Sequence, residues 1–186
     1  METRDCIKSR RSIRRFTGQP VTNEMISELL EAVRWSPSWA NTQCWEVVVV
    51  KETPVKESLV KLLSDNNPGA KGIMEAPVVM VLCGKKGISG AKKGVMQTDK
   101  GDWFMFDLGI ACQNLCLAAH DLGLGTVHIG SFNHQGVDRL LELPEDIGSV
   151  EIIPVGFPAK EVNAPPRKDL ESFVHAEKYG QKPDFI

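Results

Sequence analysis

One stretch constrains this chain more than any other. From Asp102 to Leu122 it reads DWFMFDLGIACQNLCLAAHDL, and the spacing predicts the longest helix of the protein. Phe104, Leu108, Ala111, Leu115, Ala118 and Leu122 form one apolar stripe, while Trp103, Phe106, Ile110 and Leu117 make other sides apolar as well. A helix apolar nearly all round has to be covered nearly all round. In a chain of 186 residues, a second subunit can supply part of that cover.

The remaining elements alternate in type. Residues 3–10 read as a short helix. Thr22 or Asn23 can cap a second one, with Glu24 in its first turn and Met25, Ile26, Leu29, Leu30 and Val33 on one face. Pro37 ends it. EVVVV and APVVMVLC read as strands buried on both faces. Between them, Thr53 and Pro54 suit the start of a helix carrying Leu59, Leu62 and Leu63, which DNNPG ends. GKKGISGAKKG reads as a mobile loop. GLGTVHIGSF reads as turn, strand, turn, followed by a helix over 135–143, a strand over 150–155 and a last helix after Arg167-Lys168. Strands alternating with helices predict an α/β layered fold. No repeat or linker divides the chain, so one domain over 1–186 is expected.

Charge and cysteine usage narrow the function. The formal net charge is -2, whereas a dedicated nucleic-acid binder is more often basic. Five cysteines, an odd number with no paired framework, read as free thiols in a reducing compartment. The N-terminal METRDCIKSRRSI is charged where a signal peptide is apolar, and no apolar run is long enough to span a bilayer. The expectation is a soluble cytoplasmic protein without nucleic-acid or membrane partners.

Against that near-neutral background, RRSIRRF packs four arginines into positions 10–16. Guanidinium forks match phosphate geometry and keep their charge. In an extended segment Arg10, Ser12 and Arg14 point the same way. A bare arginine run also reads as a solvated basic surface. SPSWANTQCW is the second unusual segment. If extended, it puts Trp39, Asn41, Gln43 and Trp45 on one side, where amides offering donor and acceptor suit a heteroaromatic ring edge. The alternative is a loop whose amides satisfy its own backbone. After the later strand, Gly130 and Ser131 allow close approach of a ligand to exposed N–H groups. His128 is a candidate acid or base, though such a histidine is more often simply hydrogen-bonded in place. Cys112, Cys116 and His120 recur at i, i+4 and i+8, but about 12 Å of rise keeps all three off one metal ion, and they read as buried thiols beside a histidine. No Walker, GxGxxG, HExxH or GxSxG motif is present. An enzyme of this composition would rely on a cofactor for its reactive atoms.

In their order and spacing, IKSRRSIRRF, SPSWANTQCWE, DLGIACQNLCLAAHDLGLGT, HIGSF and PRKDLESFVH resemble the FMN-dependent nitroreductase family, across almost the whole chain. The resemblance implies an α/β three-layer sandwich, with a mixed, mostly antiparallel sheet between helices, in an intertwined homodimer with FMN at the interface. It implies that Arg10, Arg11, Ser12 and Arg14 grip the FMN phosphate, helped by Arg167 and Lys168. Pro37, Ser38, Trp39, Asn41 and Gln43 are then expected to pack on FMN from the partner subunit. The backbone at Ile129, Gly130 and Ser131 is expected to face the flavin. Cys44 stands where the family usually has proline, and Asn67 and Lys71 lie near, but shifted from, an Asn and Lys pair that contacts the flavin in some relatives.

The implied activity is hydride passage from NAD(P)H through flavin N5 to a flat acceptor such as a nitroaromatic, quinone or enone, by a ping-pong mechanism that needs no catalytic side chain. Relatives of this fold also carry out dehalogenation or azoline oxidation. A non-enzymatic flavin-binding sensor is the remaining alternative.

Overall fold

The computed structural model describes residues 1–186. In chain order its elements are α1 (Thr3–Ser9), α2 (Asn23–Arg34), β1 (Trp45–Val50), α3 (Thr53–Lys61), α4 (Ala70–Glu75), β2 (Val78–Lys85), β3 (Ala91–Lys92), β4 (Val95–Met96), α5 (Phe104–Asp121), β5 (Gly125–Thr126), α6 (His134–Leu140) and β6 (Ile147–Gly156). Four strands form the central sheet in the order β1-β2-β6-β5. All three neighbouring pairs are antiparallel, and the parallel component is an isolated bridge between Ser12 and Thr126.

Helices cover both faces of this sheet, which makes the three layers. The alternation of β2 shows why. Val78, Met80 and Leu82 face one cluster with Leu29 and Val33 of α2 and Leu108, Ala111 and Leu115 of α5. Val79, Val81 and Cys83 face the other, with Leu59 of α3, Ile73 of α4 and Val137 of α6. A strand clad on both sides reads as a continuous apolar run. The EVVVV segment reads the same way, yet β1 is an edge strand and Val47, Val48 and Val49 are only half-buried.

Helix starts follow local chemistry. Thr22 caps α2, its Oγ1 accepting the Met25 N–H at 3.3 Å. Asn133 caps α6, accepting the Gly136 N–H at 2.9 Å. In α3, Thr53 is already helical, and Glu52 takes the cap position. After DNNPG the structure adds α4, where no element is expected from the sequence. Two expectations fail. The lysine-rich loop holds the β3–β4 hairpin. The expected last helix is only a 3-10 turn at Leu170–Ser172, and with Leu170 and Phe173 each 53% exposed, no apolar face is packed to stabilise a longer helix.

The central helix α5 is buried along Leu108, Ala111, Cys112, Leu115, Cys116 and Ala119. Both cysteines sit in the core, and His120 instead meets Ser9 Oγ at 2.7 Å. On the opposite side Met105 and Phe106 are 55% and 59% exposed and line a shallow groove with Gly109, Ile110, Gln113 and Asn114. One chain therefore leaves part of this apolar helix uncovered. No helix is long and apolar enough to cross a membrane.

Candidate functional site

The arginine segment leaves α1 at Arg10, whose backbone turns to φ -55° and ψ 134°. It then runs extended, because Ile13 and Phe16 are buried and the Ile13 N–H donates to Thr126 O at 2.8 Å. Gly125 permits this approach: a Cβ there would lie 2.7 Å from the Cβ of Ile13. With the segment extended, Arg10, Ser12 and Arg14 converge on one pocket of about 300 Å³. Arg11, Asn163 and Arg167 complete its polar lining, which contains no carboxylate. Arg10 Nη1 is buried without a hydrogen-bond partner.

A buried, unpaired guanidinium nitrogen is costly unless an acceptor meets it, and four arginines converging without an acid call for an anion. Arg15 does not take part. Its Nε donates to Glu75 at 2.8 and 2.9 Å, and Glu75 also accepts the Phe16 N–H at 3.0 Å. The hydrogen bond from Arg15 holds the Glu75 carboxyl below the usual carboxylate range. Lys168 is exposed and lies outside the pocket lining, whereas Asn163, for which the sequence offers no signal, is part of it.

The segment 126–131 links this pocket to a second group of donors. Ile129 exchanges backbone hydrogen bonds with Ile152 at 3.1 and 3.0 Å. The next two residues, Gly130 and Ser131, are exposed, and neither N–H donates to a protein acceptor. The Ser131 carbonyl accepts from the Ser64 N–H and from Asn67 Nδ2, each at 3.1 Å. Asn67 Oδ1 in turn accepts the Gly69 N–H at 2.9 Å. Asn67 thus braces this turn, while Lys71 is exposed on α4.

His128, just before, is bound on both nitrogens, by Glu151 Oε2 at 2.6 Å and Cys116 Sγ at 3.4 Å. These two partners, Cys116 first, push its pKa up to about 10 against the opposing effect of burial. His128 is a locked cation at neutral pH, which does not suit a general base.

The segment 37–44 is not extended. Trp39–Asn41 form a 3-10 turn, and Ala40, Asn41 and Gln43 take positive φ of 45°, 57° and 49°. The two-residue alternation that would align Trp39, Asn41, Gln43 and Trp45 does not apply to such a backbone. Asp107, buried on the first turn of α5, holds the loop by accepting the Trp39 N–H at 3.1 and 3.2 Å. Ser38 Oγ accepts the Gln43 N–H at 2.9 Å. Pro37, Asn41 and Gln43 are exposed, and Ser38 and Trp39 half-buried. The Trp39 ring packs on Trp103 at 5.3 Å, and Trp103 meets Phe106 edge-on at the same distance. Cys44 is buried beside Asp107, and burial, then that carboxylate, pushes its thiol up to about 12. Asp107 has one signal in the sequence: it is the one acid of the apolar helix before its last residue, Asp121.

The arginine pocket and this loop lie at opposite ends of α5. Ser9, next to Arg10, meets His120 in the last turn, and Trp39 meets Asp107 in the first. Thirteen residue steps along the helix, from Asp107 to His120, separate the two anchors by roughly 20 Å. One chain therefore brings Arg10, Arg11, Ser12, Arg14 and Arg167 together, and holds residues 37–43 at the other end of α5.

Comparison with known proteins agrees with this architecture. The nitroreductase family profile matches residues 7–157. The FMN reductase [NAD(P)H] of Bacillus subtilis is 32% identical over 180 residues, covering 91% of this chain and 71% of that protein. Among solved structures, a hypothetical oxidoreductase of Bacillus subtilis superposes with a TM-score of 0.82 at 30% identity, covering 96% of this chain and 75% of that one. A nitroreductase family protein of Clostridium difficile superposes with a TM-score of 0.83 over 96% and 99% of the two chains, at 23% identity. With its sheet clad on both faces and residues 7–157 matched by the family profile, the chain belongs to the nitroreductase family.

Proposed function

We propose that the protein is an FMN-dependent NAD(P)H oxidoreductase working as a homodimer. The observation that carries this reading is the convergence of Arg10, Arg11, Ser12, Arg14 and Arg167 on one pocket free of carboxylates. A phosphate monoester brings close to two negative charges and several acceptor oxygens, which fits that donor set. Bound there, FMN would supply the hydride chemistry, taking hydride from NAD(P)H and passing it to a flat acceptor such as a nitroaromatic, quinone or enone in alternating half-reactions.

The chain's own residues bind and orient. Arg10, Arg11, Ser12, Arg14 and Arg167 hold the phosphate, with Lys168 adding charge at the margin. The free N–H groups of Gly130 and Ser131 offer fixed donors, preorganised by the Ile129–Ile152 pairing and the Asn67 brace. Pro37, Ser38, Trp39, Asn41 and Gln43 lie too far along α5 to serve the same cofactor in one chain, so they would complete the partner's site. The uncovered strip of α5 at Met105 and Phe106 is the apolar surface such a dimer would bury. All five cysteines are free and buried, which fits a reducing cytoplasm.

The test is a visible spectrum of the purified protein, identification of the released cofactor, and anaerobic addition of NADH and NADPH. A yellow protein that releases FMN and bleaches with either nucleotide is expected. A colourless protein that takes up no added FMN would overturn the reading.

A further inference from the structure

His128 is bound on both ring nitrogens, and the function proposed above gives it no part. Its place in the chain is specific. Two residues before it, the Thr126 carbonyl accepts the Ile13 N–H of the arginine segment at 2.8 Å. Just after it stand Gly130 and Ser131, whose N–H groups have no protein acceptor. One short segment thus joins the two groups of donors, and its backbone hold on the sheet is incomplete.

The gap comes from a proline. Thr126 pairs with Val155 and Ile129 with Ile152, so Val127 lies opposite Pro154. Ile129 and Ile152 exchange both backbone hydrogen bonds, at 3.1 and 3.0 Å. In an antiparallel pair the next such exchange falls two residues along, at Val127 and Pro154. Proline has no N–H to donate, so this exchange cannot be completed, and β5 ends at Thr126.

The side chain of His128 spans the gap. In this register His128 lies opposite Ile153, and Glu151 is the diagonal neighbour on the same face of β6. On that face Ile153 and Val155 pack in one cluster with Cys112 and Cys116 of α5. His128 Nδ1 meets Glu151 Oε2 at 2.6 Å, and Nε2 meets Cys116 Sγ at 3.4 Å. The His128 and Glu151 side chains are only 31% and 24% exposed, so water competes weakly for the shorter contact. One ring ties the segment to both the sheet and the central helix, next to the residue whose backbone bond is missing.

We propose that His128 is a positioning residue of the flavin site: its bridge from Glu151 to Cys116 replaces the backbone bond that Pro154 removes, and so fixes the N–H groups of Gly130 and Ser131. The inference rests on the flavin reading of the site. In this role His128 acts through the backbone. Donors held at a fixed place lose their effect when displaced, while the arginines keep their grip on the phosphate. Cutting the bridge therefore slows flavin reduction and spares FMN affinity. A residue with an N–H at position 154 makes the bridge dispensable.

The test compares the natural sequence with His128→Leu, Pro154→Val and the double variant. Amide hydrogen exchange of the flavin-free proteins reads the segment directly. Fluorescence titration reads FMN affinity, and anaerobic stopped-flow absorbance reads flavin bleaching at a saturating level of whichever nicotinamide nucleotide reduces it. In His128→Leu the Ile129 amide is expected to exchange at least about tenfold faster. Bleaching is expected to slow about tenfold, with FMN affinity within about threefold. The double variant is expected to return both rates to within about threefold of the natural sequence, and Pro154→Val alone to stay within about twofold. The inference is overturned if His128→Leu leaves exchange and bleaching within about twofold, if FMN affinity falls as much as the bleaching rate, or if the double variant recovers neither rate. If His128→Leu alone fails to fold, the double variant decides: a folded protein with near-natural bleaching supports the inference, and failure to fold overturns it. A natural sequence that binds no FMN would instead remove the proposed function, and this inference with it.

Discussion

Asp107, buried on the first turn of α5, accepts the backbone N–H of Trp39 on both carboxylate oxygens, at 3.1 and 3.2 Å. The same carboxylate takes the Ser89 hydroxyl from the lysine-rich segment. One acid thus ties two loops to the start of the central helix. Asp107→Asn keeps the shape but turns one acceptor oxygen into a donor facing donors. Its unsatisfied groups are expected to cost about 1–3 kcal/mol. A urea unfolding midpoint that does not move would show that the loop finds other partners.

The two halves of RRSIRRF are expected to separate by function. Arg14→Ala removes pocket charge and should reduce FMN retention through purification without changing the stability of the apoprotein. Arg15→Ala breaks the pair with Glu75 and should leave flavin occupancy intact. Equal flavin loss in both variants would mean that the segment acts as a diffuse basic surface.

Gly125 tests how the arginine segment is held. A Cβ at this position would lie 2.6, 2.7 and 2.9 Å from the three nearest side-chain atoms of Ile13. Because one of these is the Ile13 Cβ, rotation alone cannot relieve the clash. Gly125→Ala is expected to cost about 1–3 kcal/mol and to weaken FMN binding by displacing Arg10–Arg14. Thermal melts with and without FMN measure both effects, and wild-type affinity in this variant would contradict the account.

His128 predicts a pH dependence. Its folded pKa is raised to about 10 from an ordinary 6.5, so the stability from its contacts with Cys116 and Glu151 is complete below pH 6.5 and is lost as pH rises through 10. Urea midpoints across that window should fall for the natural sequence and fall less for His128→Gln. Parallel curves for the two proteins would rule out a charged His128.

The exposed strip of α5 predicts an oligomer. Phe106 is 59% exposed on an apolar helix, and a charge there would have to be desolvated on association. Phe106→Glu is expected to shift the protein from dimer toward monomer in sedimentation velocity. A natural sequence that sediments as a monomer would remove the partner role of residues 37–43.

Much of this was legible in the chain itself. The helices α2, α5 and α6, the strand β2 and the phosphate-like grouping of Arg10, Ser12 and Arg14 follow from local rules: periodicity, capping, and the parity of an extended backbone. The backbone of 37–43 was not legible, because three non-glycine residues at positive φ override the alternation that side-chain identity suggests. Nor was the C-terminal turn, whose helical pattern has nothing packed against it.

The sequence by itself determined the longer elements, α2, α5 and β2, and the charge they carry, since hydrogen-bond geometry and burial act over a few neighbouring residues. Only the tertiary structure decided which charges meet. It turned Arg15 to Glu75 and left Arg10 unpaired, recruited Arg167 and Asn163 from the far end of the chain, and placed Trp39 and Arg10 at opposite ends of α5. Those outcomes depend on contacts between residues far apart in the chain, whose partners no local pattern specifies.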